Sequence, residues 1–190
     1  MFPVNVPNVL TVLRILLVPV LVVALLDATP SGDLLAAIVF AVASLTDLLD
    51  GYLARTRNAI TTFGKLMDPI ADKLLVVAAL IALVSLSRLA AWVAMVIIAR
   101  EFAVTAMRMA AGAQGVVIAA SPFGKAKTVL QIAMVLALIA AGDTRPLWLD
   151  LLVDATVAVT VISGVDYFLG LRRRLGERDA KRERPAADAT

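Results

Sequence analysis

From Val9 to Leu26 the chain places one charged residue, Arg14, in an otherwise apolar run, and comparable runs recur along most of its 190 residues. Runs of that length are read as membrane-spanning helices, because hydrocarbon offers no partner to an unpaired backbone group. Composition agrees: 61% of residues are hydrophobic and the mean hydropathy is +0.92. The expected fold is an all-α integral membrane protein, a six-transmembrane-helix bundle with both termini cytoplasmic. The expected helices cover about 7–26, 33–55, 68–87, 89–111, 124–141 and 147–171. Several apolar cores fall short of the roughly 20 residues of a simple span, so their polar ends are expected to project into the cytoplasm or a wet cavity. Residues 1–171 form one domain in this reading, and 172–190 a basic, partly disordered cytoplasmic tail. The N-terminus has no basic leader region or cleavage site, so no secretory signal is expected.

Orientation follows from lysine and arginine. The connection 27–33 has no basic residue, the one after helix three holds only Arg88, and the one after helix five only Arg145. The other side holds Arg55, Arg57, Lys65, Lys73, Arg108, Lys125, Lys127 and the tail from Arg172 to Arg184. That side is expected to be cytoplasmic.

Four aspartates interrupt the apolar pattern on the cytoplasmic side: Asp47, Asp50, Asp68 and Asp72. Charges at the edge of a bilayer core are costly and usually functional. The chain contains no cysteine and no histidine. Thiolate nucleophiles, disulfides and imidazole ligands are therefore excluded, and any metal site must be built from oxygen, which favours magnesium, manganese or calcium. On a helix, Asp47, Asp50 and Ala54 share one face, with Gly51 beside them, and Asp68 and Asp72 lie one turn apart. A short connection would make helices two and three antiparallel neighbours, so the pairs can converge. Four close carboxylates repel unless cations sit among them, and two divalent ions about 3.5–4 Å apart form a clamp for displacement at phosphorus. Gly51, Ala54 and Gly64 leave room for a bulky group near backbone, and the planar fork of Arg55 suits a phosphate oxygen. The plainer alternative pairs the aspartates with Arg55, Arg57, Lys65 and Lys73. It predicts no regular spacing.

The spacing is regular: Asp47-x2-Asp50-Gly51-x2-Ala54-Arg55-x8-Gly64-x3-Asp68-x3-Asp72. This stretch resembles the complete motif of the CDP-alcohol phosphotransferase family. The resemblance implies a six-helix membrane enzyme that cleaves the pyrophosphate of a CDP-linked lipid or alcohol, with an acceptor hydroxyl attacking phosphorus and CMP leaving. It implies that Asp47, Asp50, Asp68 and Asp72 hold two Mg2+ or Mn2+ ions. Asp72 would also be the catalytic base, and Gly51, Ala54, Arg55 and Gly64 would line the CDP-lipid site. Chemistry independently requires a base for the alcohol, and a carboxylate is the remaining good candidate. Spacing alone leaves open which aspartate it is.

Two further regions bear on substrates. Asn8, Thr11 and Arg14, at steps of three, form a polar stripe on helix one. Either it faces the aspartates, making Asn8 and Thr11 part of the CDP-lipid site, or it is a helix cap with an arginine snorkelling to the interface. Downstream, Arg100 and Arg108 on helix four, with Lys125 and Lys127 opening helix five, are expected to form a basic pocket for an acceptor phosphate, with both arginines buried. Lysines that merely mark a cytoplasmic loop would explain Lys125 and Lys127, but not the arginines. Glu101 is free to pair with either arginine or with a neighbouring base.

The Asn-x-x-Thr-x-x-Arg opening, Ala99-Arg100-Glu101-Phe102, Gly124-Lys125-x-Lys127-Thr128 with Gln131, and Ser163-Gly164-x-Asp166-Tyr167 resemble the branch of the family that makes phosphatidylglycerol phosphate. That resemblance implies CDP-diacylglycerol and glycerol 3-phosphate as substrates and a homodimer in the lipid bilayer. It points to a bacterial cell membrane with the active site facing the cytoplasm. No nucleic-acid partner is expected. Other acceptors within the class are inositol phosphate, phosphatidylglycerol (giving cardiolipin) and serine, although serine needs no cluster of cations. A divalent-cation channel or transporter is a reading of another class. It fits poorly, because the aspartates gather at one face and no pair of broken helices is evident. An inactive scaffold fits poorly with an intact motif.

Overall fold

The computed structural model describes the backbone of residues 6–57, 62–113, 115 and 122–187, and the side chains of 9–46, 73–113, 115 and 122–176. It contains six helices: α1 (Val6–Leu26), α2 (Pro30–Arg57), α3 (Thr62–Ser85), α4 (Ala91–Ala113), α5 (Pro122–Ala141) and α6 (Leu147–Ala187). Two ends differ from the expectation. α3 begins at Thr62 instead of near 68, so Gly64 is a helical position. α6 runs past 171 to Ala187. Hydropathy stops at Leu171, but the following Arg-, Leu-, Glu-, Ala- and Lys-rich stretch is made of good helix formers.

Neighbouring helices close a ring in the order α1, α2, α5, α6, α4, α3, with α3 touching α5 across it. α1 lies against both α2 and α3, which meet each other only slightly among the described contacts. Over the described residues α1 packs between much of α2 and α3, and the expected convergence of the aspartate pairs falls on side chains outside the described residues. The turns 27–29, 86–90 and 142–146 share one end of the bundle. Arg88 ties them together there: its Nη1 donates to Asp33 Oδ1 at 2.6 Å and its Nε to Asp143 Oδ1 at 3.2 Å. The Asp33 bond raises the Arg88 guanidinium above its ordinary range. Arg145 Nη2 donates to the Arg88 carbonyl at 3.0 Å, and its Nη1 pairs with Asp150 at 3.2 Å. Both basic residues of this end are thus held in ion pairs. Gly142 closes α5 at φ +57°, where a glycine is at home.

The first turn of α2 shows how tightly this end is built. Thr29 caps the helix by accepting the Gly32 N–H at 3.0 Å, and Pro30 opens it, where its missing N–H costs nothing. A Cβ at Gly32 would stand 2.5 Å from the Ala24 carbonyl oxygen. That oxygen is backbone and cannot swing aside. Gly32→Ala is expected to destabilise the protein by about 2 kcal/mol, read as a fall of about 4–8 °C in the unfolding temperature in detergent.

The interior changes character at one depth. Toward the turn end the fully buried side chains are Leu21 and Leu25 (α1), Phe40 (α2), Leu80 and Leu83 (α3), Val93 and Ile97 (α4), Met134 and Leu138 (α5) and Leu149 (α6). Further along the same helices polar residues join the buried set, beside apolar ones such as Leu75 and Val104: Arg14 and Thr11, Ser44, Glu101, Gln131 and Lys127, and Thr156, Thr160 and Ser163. The outward surface is apolar, including Val9, Val12, Leu16, Val20 and Val23 on α1, which suits hydrocarbon. Trp92 and Trp148, half-exposed in the first turns of α4 and α6, lie at the turn end, where an aromatic belt is expected. By length and hydropathy, the described parts of three helices can cross a membrane: Val9–Leu26, Pro122–Ala141 and Leu147–Gly176. The segments Pro30–Thr46 and Lys73–Ser85 are shorter apolar helices.

Candidate active site

The helical backbone carries both aspartate pairs to the end opposite the turns. Asp47, Asp50, Gly51, Ala54 and Arg55 ride on the last turns of α2, and Gly64, Asp68 and Asp72 on the first turns of α3. Their side chains, and that of Asn8, lie outside the described residues. No group of three or more potential metal ligands occurs among the described residues. The donor set nevertheless suits a hard divalent ion. It offers four carboxylates and no competing nitrogen or sulfur ligand.

Thr11 and Arg14 are described and both are 4% exposed. Thr11 and Arg14 therefore face the interior, and the snorkelling alternative for Arg14 is not what the fold adopts.

The expected basic pocket is rearranged. Glu101, buried on α4, is its centre. Lys127 of α5 forms an ion pair with Glu101 Oε1, Arg100 Nη1 lies 3.2 Å from the same oxygen, and Lys73 Nζ of α3 lies 3.7 Å from Oε2. Arg100 is fixed on its other side by Nη2 donating to Ser163 Oγ of α6 at 2.7 Å. Four helices thus meet at one carboxylate and the guanidinium beside it. Gly164 makes room for this arrangement, since a Cβ there would stand 3.3 Å from Arg100 Cγ.

Arg108 corrects the expectation of two buried arginines, because it is exposed. Eight residues carry a helix position about 80° past two full turns, which moves Arg108 off the Arg100 line. Its guanidinium carbon sits instead 5.6 Å from the ring centroid of Tyr167, a cation–π distance. Lys125 and Lys127 separate for a similar reason: two residues along a helix is nearly the opposite side. Lys127 is buried and Lys125 exposed. The structure therefore gathers Arg100 and Lys127, adds Lys73, and leaves Lys125 and Arg108 outside the ion-pair cluster.

Sequence reading missed Lys73 as a member of this cluster and missed the polar stripe of α6. Thr156, Thr160, Ser163 and Tyr167, at steps of four, three and four, are all buried. Thr156 Oγ1 reaches the Leu130 carbonyl of α5 at 3.5 Å. Such a stripe within an apolar helix is a readable sign of a polar interior face. Four buried atoms around this face have no hydrogen-bond partner: Arg100 Nε, Gln131 Oε1, Thr160 Oγ1 and Tyr167 Oη. Lys73 directly follows Asp72 in the chain. The cation cluster and the aspartate end of α3 are therefore physically continuous.

A helical bundle that gathers cations from α3, α4 and α5 around one buried carboxylate, at the end where α2 and α3 carry the aspartate motif in their sequence, has the charge to meet a phosphorylated substrate. The chain belongs to the CDP-alcohol phosphatidyltransferase family, whose model matches residues 4–165, and is an enzyme of that class. Among curated relatives, it is 43% identical over 180 aligned residues to the CDP-diacylglycerol–glycerol-3-phosphate 3-phosphatidyltransferase of Bacillus subtilis (strain 168), covering 86% of this chain and 93% of that one. The enzyme of the same name from Rickettsia bellii (strain RML369-C) is 36% identical over 174 residues, covering 89% and 96%. A probable phosphatidylglycerophosphate synthase of Mycobacterium tuberculosis (strain ATCC 25618 / H37Rv) is 41% identical over 177 residues, covering 90% and 84%.

Proposed function

We propose that the chain transfers the phosphatidyl group of CDP-diacylglycerol to glycerol 3-phosphate, giving phosphatidylglycerol phosphate and CMP. The observation that carries the choice of acceptor is the cluster around Glu101. One carboxylate faces Arg100, Lys127 and Lys73. Among the described side chains, even counting only Arg100 and Lys127, the cations at Glu101 exceed the carboxylate by one charge in a mostly buried site. An uncompensated buried charge is costly, and a phosphate monoester, carrying about −1.5 to −2 at pH 7, would complete the site. Serine carries no such group. The relatives named for glycerol 3-phosphate support the same reading.

In this mechanism the acceptor hydroxyl oxygen forms a bond to the phosphorus nearer the diacylglycerol. The bond from that phosphorus to the oxygen of CMP breaks, and CMP leaves with the electron pair. The hydroxyl proton passes to a carboxylate, which the family motif assigns to Asp72. Asp47, Asp50, Asp68 and Asp72 would hold two divalent ions, Mg2+ or Mn2+, which supply charge neutralisation at the pyrophosphate. Gly51, Ala54 and Gly64, without bulky side chains, leave space for CDP, and Arg55 offers a fork to a phosphate oxygen. Asn8 and Thr11 extend the same wall from α1. Arg100 and Lys127 hold the acceptor phosphate, and Lys125 and the Tyr167-stacked Arg108 place positive charge at the mouth.

The same reading places the six helices across a bacterial cell membrane, with both termini and the site on the cytoplasmic side. The protein works there as a homodimer. The lysine and arginine bias and the outward apolar faces support the placement.

Purified protein in detergent with magnesium, given CDP-diacylglycerol and, in parallel, glycerol 3-phosphate, inositol phosphate, phosphatidylglycerol or serine, tests the reading. CMP release is expected to be fastest with glycerol 3-phosphate. Faster release with inositol phosphate would reassign the acceptor, and no release with any acceptor would end the enzyme reading.

A further inference from the structure

The geometry points to Glu101 as the positioning residue of the acceptor site: one buried carboxylate that gathers Lys73, Arg100 and Lys127 from three helices and sets the spacing at which they meet a phosphate. This rests on the acceptor reading above and adds to it a residue that touches no substrate itself. Glu101 divides its two oxygens, with Lys127 and Arg100 on Oε1 and Lys73 on Oε2. Its other neighbours agree. Arg100 is held from behind by Ser163 Oγ at 2.7 Å, while its buried Nε–H has no partner in the protein. A donor fixed in place and left unsatisfied in a buried position is the arrangement expected of a preorganised anion site.

Two effects oppose each other when Glu101 loses its charge. The site becomes more positive, which on its own would tighten anion binding. The cations also lose the charge that holds them together, and like charges a few ångströms apart in a partly dry interior repel strongly. Burial leaves Lys127, 6% exposed, no solvent to relax into. The loss of geometry dominates, because a phosphate needs its donors converging from several sides at hydrogen-bond distance.

Glu101→Gln in the full chain, purified in detergent with magnesium, is the test. The KM for glycerol 3-phosphate is expected to rise about 30-fold, the scale set by breaking a buried charge pair. The KM for CDP-diacylglycerol should stay within about twofold of wild type, while the unfolding temperature falls by roughly 6–20 °C as the buried cations lose their counter-charge. An unchanged or lowered acceptor KM overturns the proposal, as does an equal rise in both KM values. If Glu101→Gln does not fold, Glu101→Asp keeps the charge and withdraws it by one methylene. Its acceptor KM should rise about 5-fold with the lipid KM unchanged, and no rise overturns the proposal. Wild-type turnover separates the two ideas. Should wild type use another phosphorylated acceptor, the substrate reading fails and Glu101 is judged with that acceptor. Should it use only an unphosphorylated one, both fail.

Discussion

Asp72→Asn is expected to lower CMP release by about 1000-fold or more while CDP-diacylglycerol binding changes little. The size follows from two losses at one position. General base catalysis by a placed carboxylate contributes about 10²–10⁴ in rate, and an amide cannot take the proton. The chain has no histidine or cysteine to substitute. If Asp72 holds a divalent ion as proposed, the amide would also be a weaker ligand, and part of the loss should return at high magnesium. Asp72 lies on α3, three turns in from Thr62, and asparagine keeps its volume, so the helix should persist. Initial rates against magnesium concentration, with binding of the CDP-lipid followed separately, check the result. Turnover within tenfold of wild type would remove Asp72 from the role of base.

Lys127→Met is expected to cut kcat/KM for glycerol 3-phosphate about 100-fold, the equivalent of roughly 2.7 kcal/mol, within the range for truncating one partner of a buried charge pair. Methionine preserves the unbranched stem, so the packing of α5 against α6 should survive. Lys127 is buried and faces Glu101, whereas Lys125 is exposed. Lys125→Met should therefore cost under tenfold and soften with added salt, as an exposed charge does. Equal losses from the two substitutions would mean that the lysines act only through general positive charge.

Much of the fold was legible because hydrophobic length is a direct reading of environment. The runs that include Leu21, Leu80 and Leu138 mark α1, α3 and α5 without ambiguity. The beginning of α3 was not, because Gly64 and Pro69 argue locally against a helix while the fold carries one through them. The end of α6 was not, because charge conceals helix propensity from a hydropathy reading. The aspartate motif was visible from spacing alone, since both pairs obey the helical repeat. Of the partners of Glu101, Arg100 was among the alternatives the sequence offered, whereas Lys127 and Lys73 were not singled out, because they depend on how three helices are shifted along one another. The burial of Arg14 was offered by the sequence as one of two alternatives, and packing decided it. The exposure of Arg108 followed from an 80° rotation that broad sidedness had blurred.

The depth at which the interior changes from leucine, isoleucine and phenylalanine to charged and hydroxyl-bearing residues has a consequence for the cell's energy supply. A membrane enzyme with a wet, ionic chamber is a potential leak for protons and metal ions. Here the polar end of the interior is backed by a dry stopper: the buried side chains Leu21, Leu25, Phe40, Leu83, Ile97 and Met134 lie between it and the turn end of the described bundle. The same stopper stands against conduction through the described bundle. In the proposed placement, that stopper would let the catalyst sit in an energised membrane without dissipating its gradient.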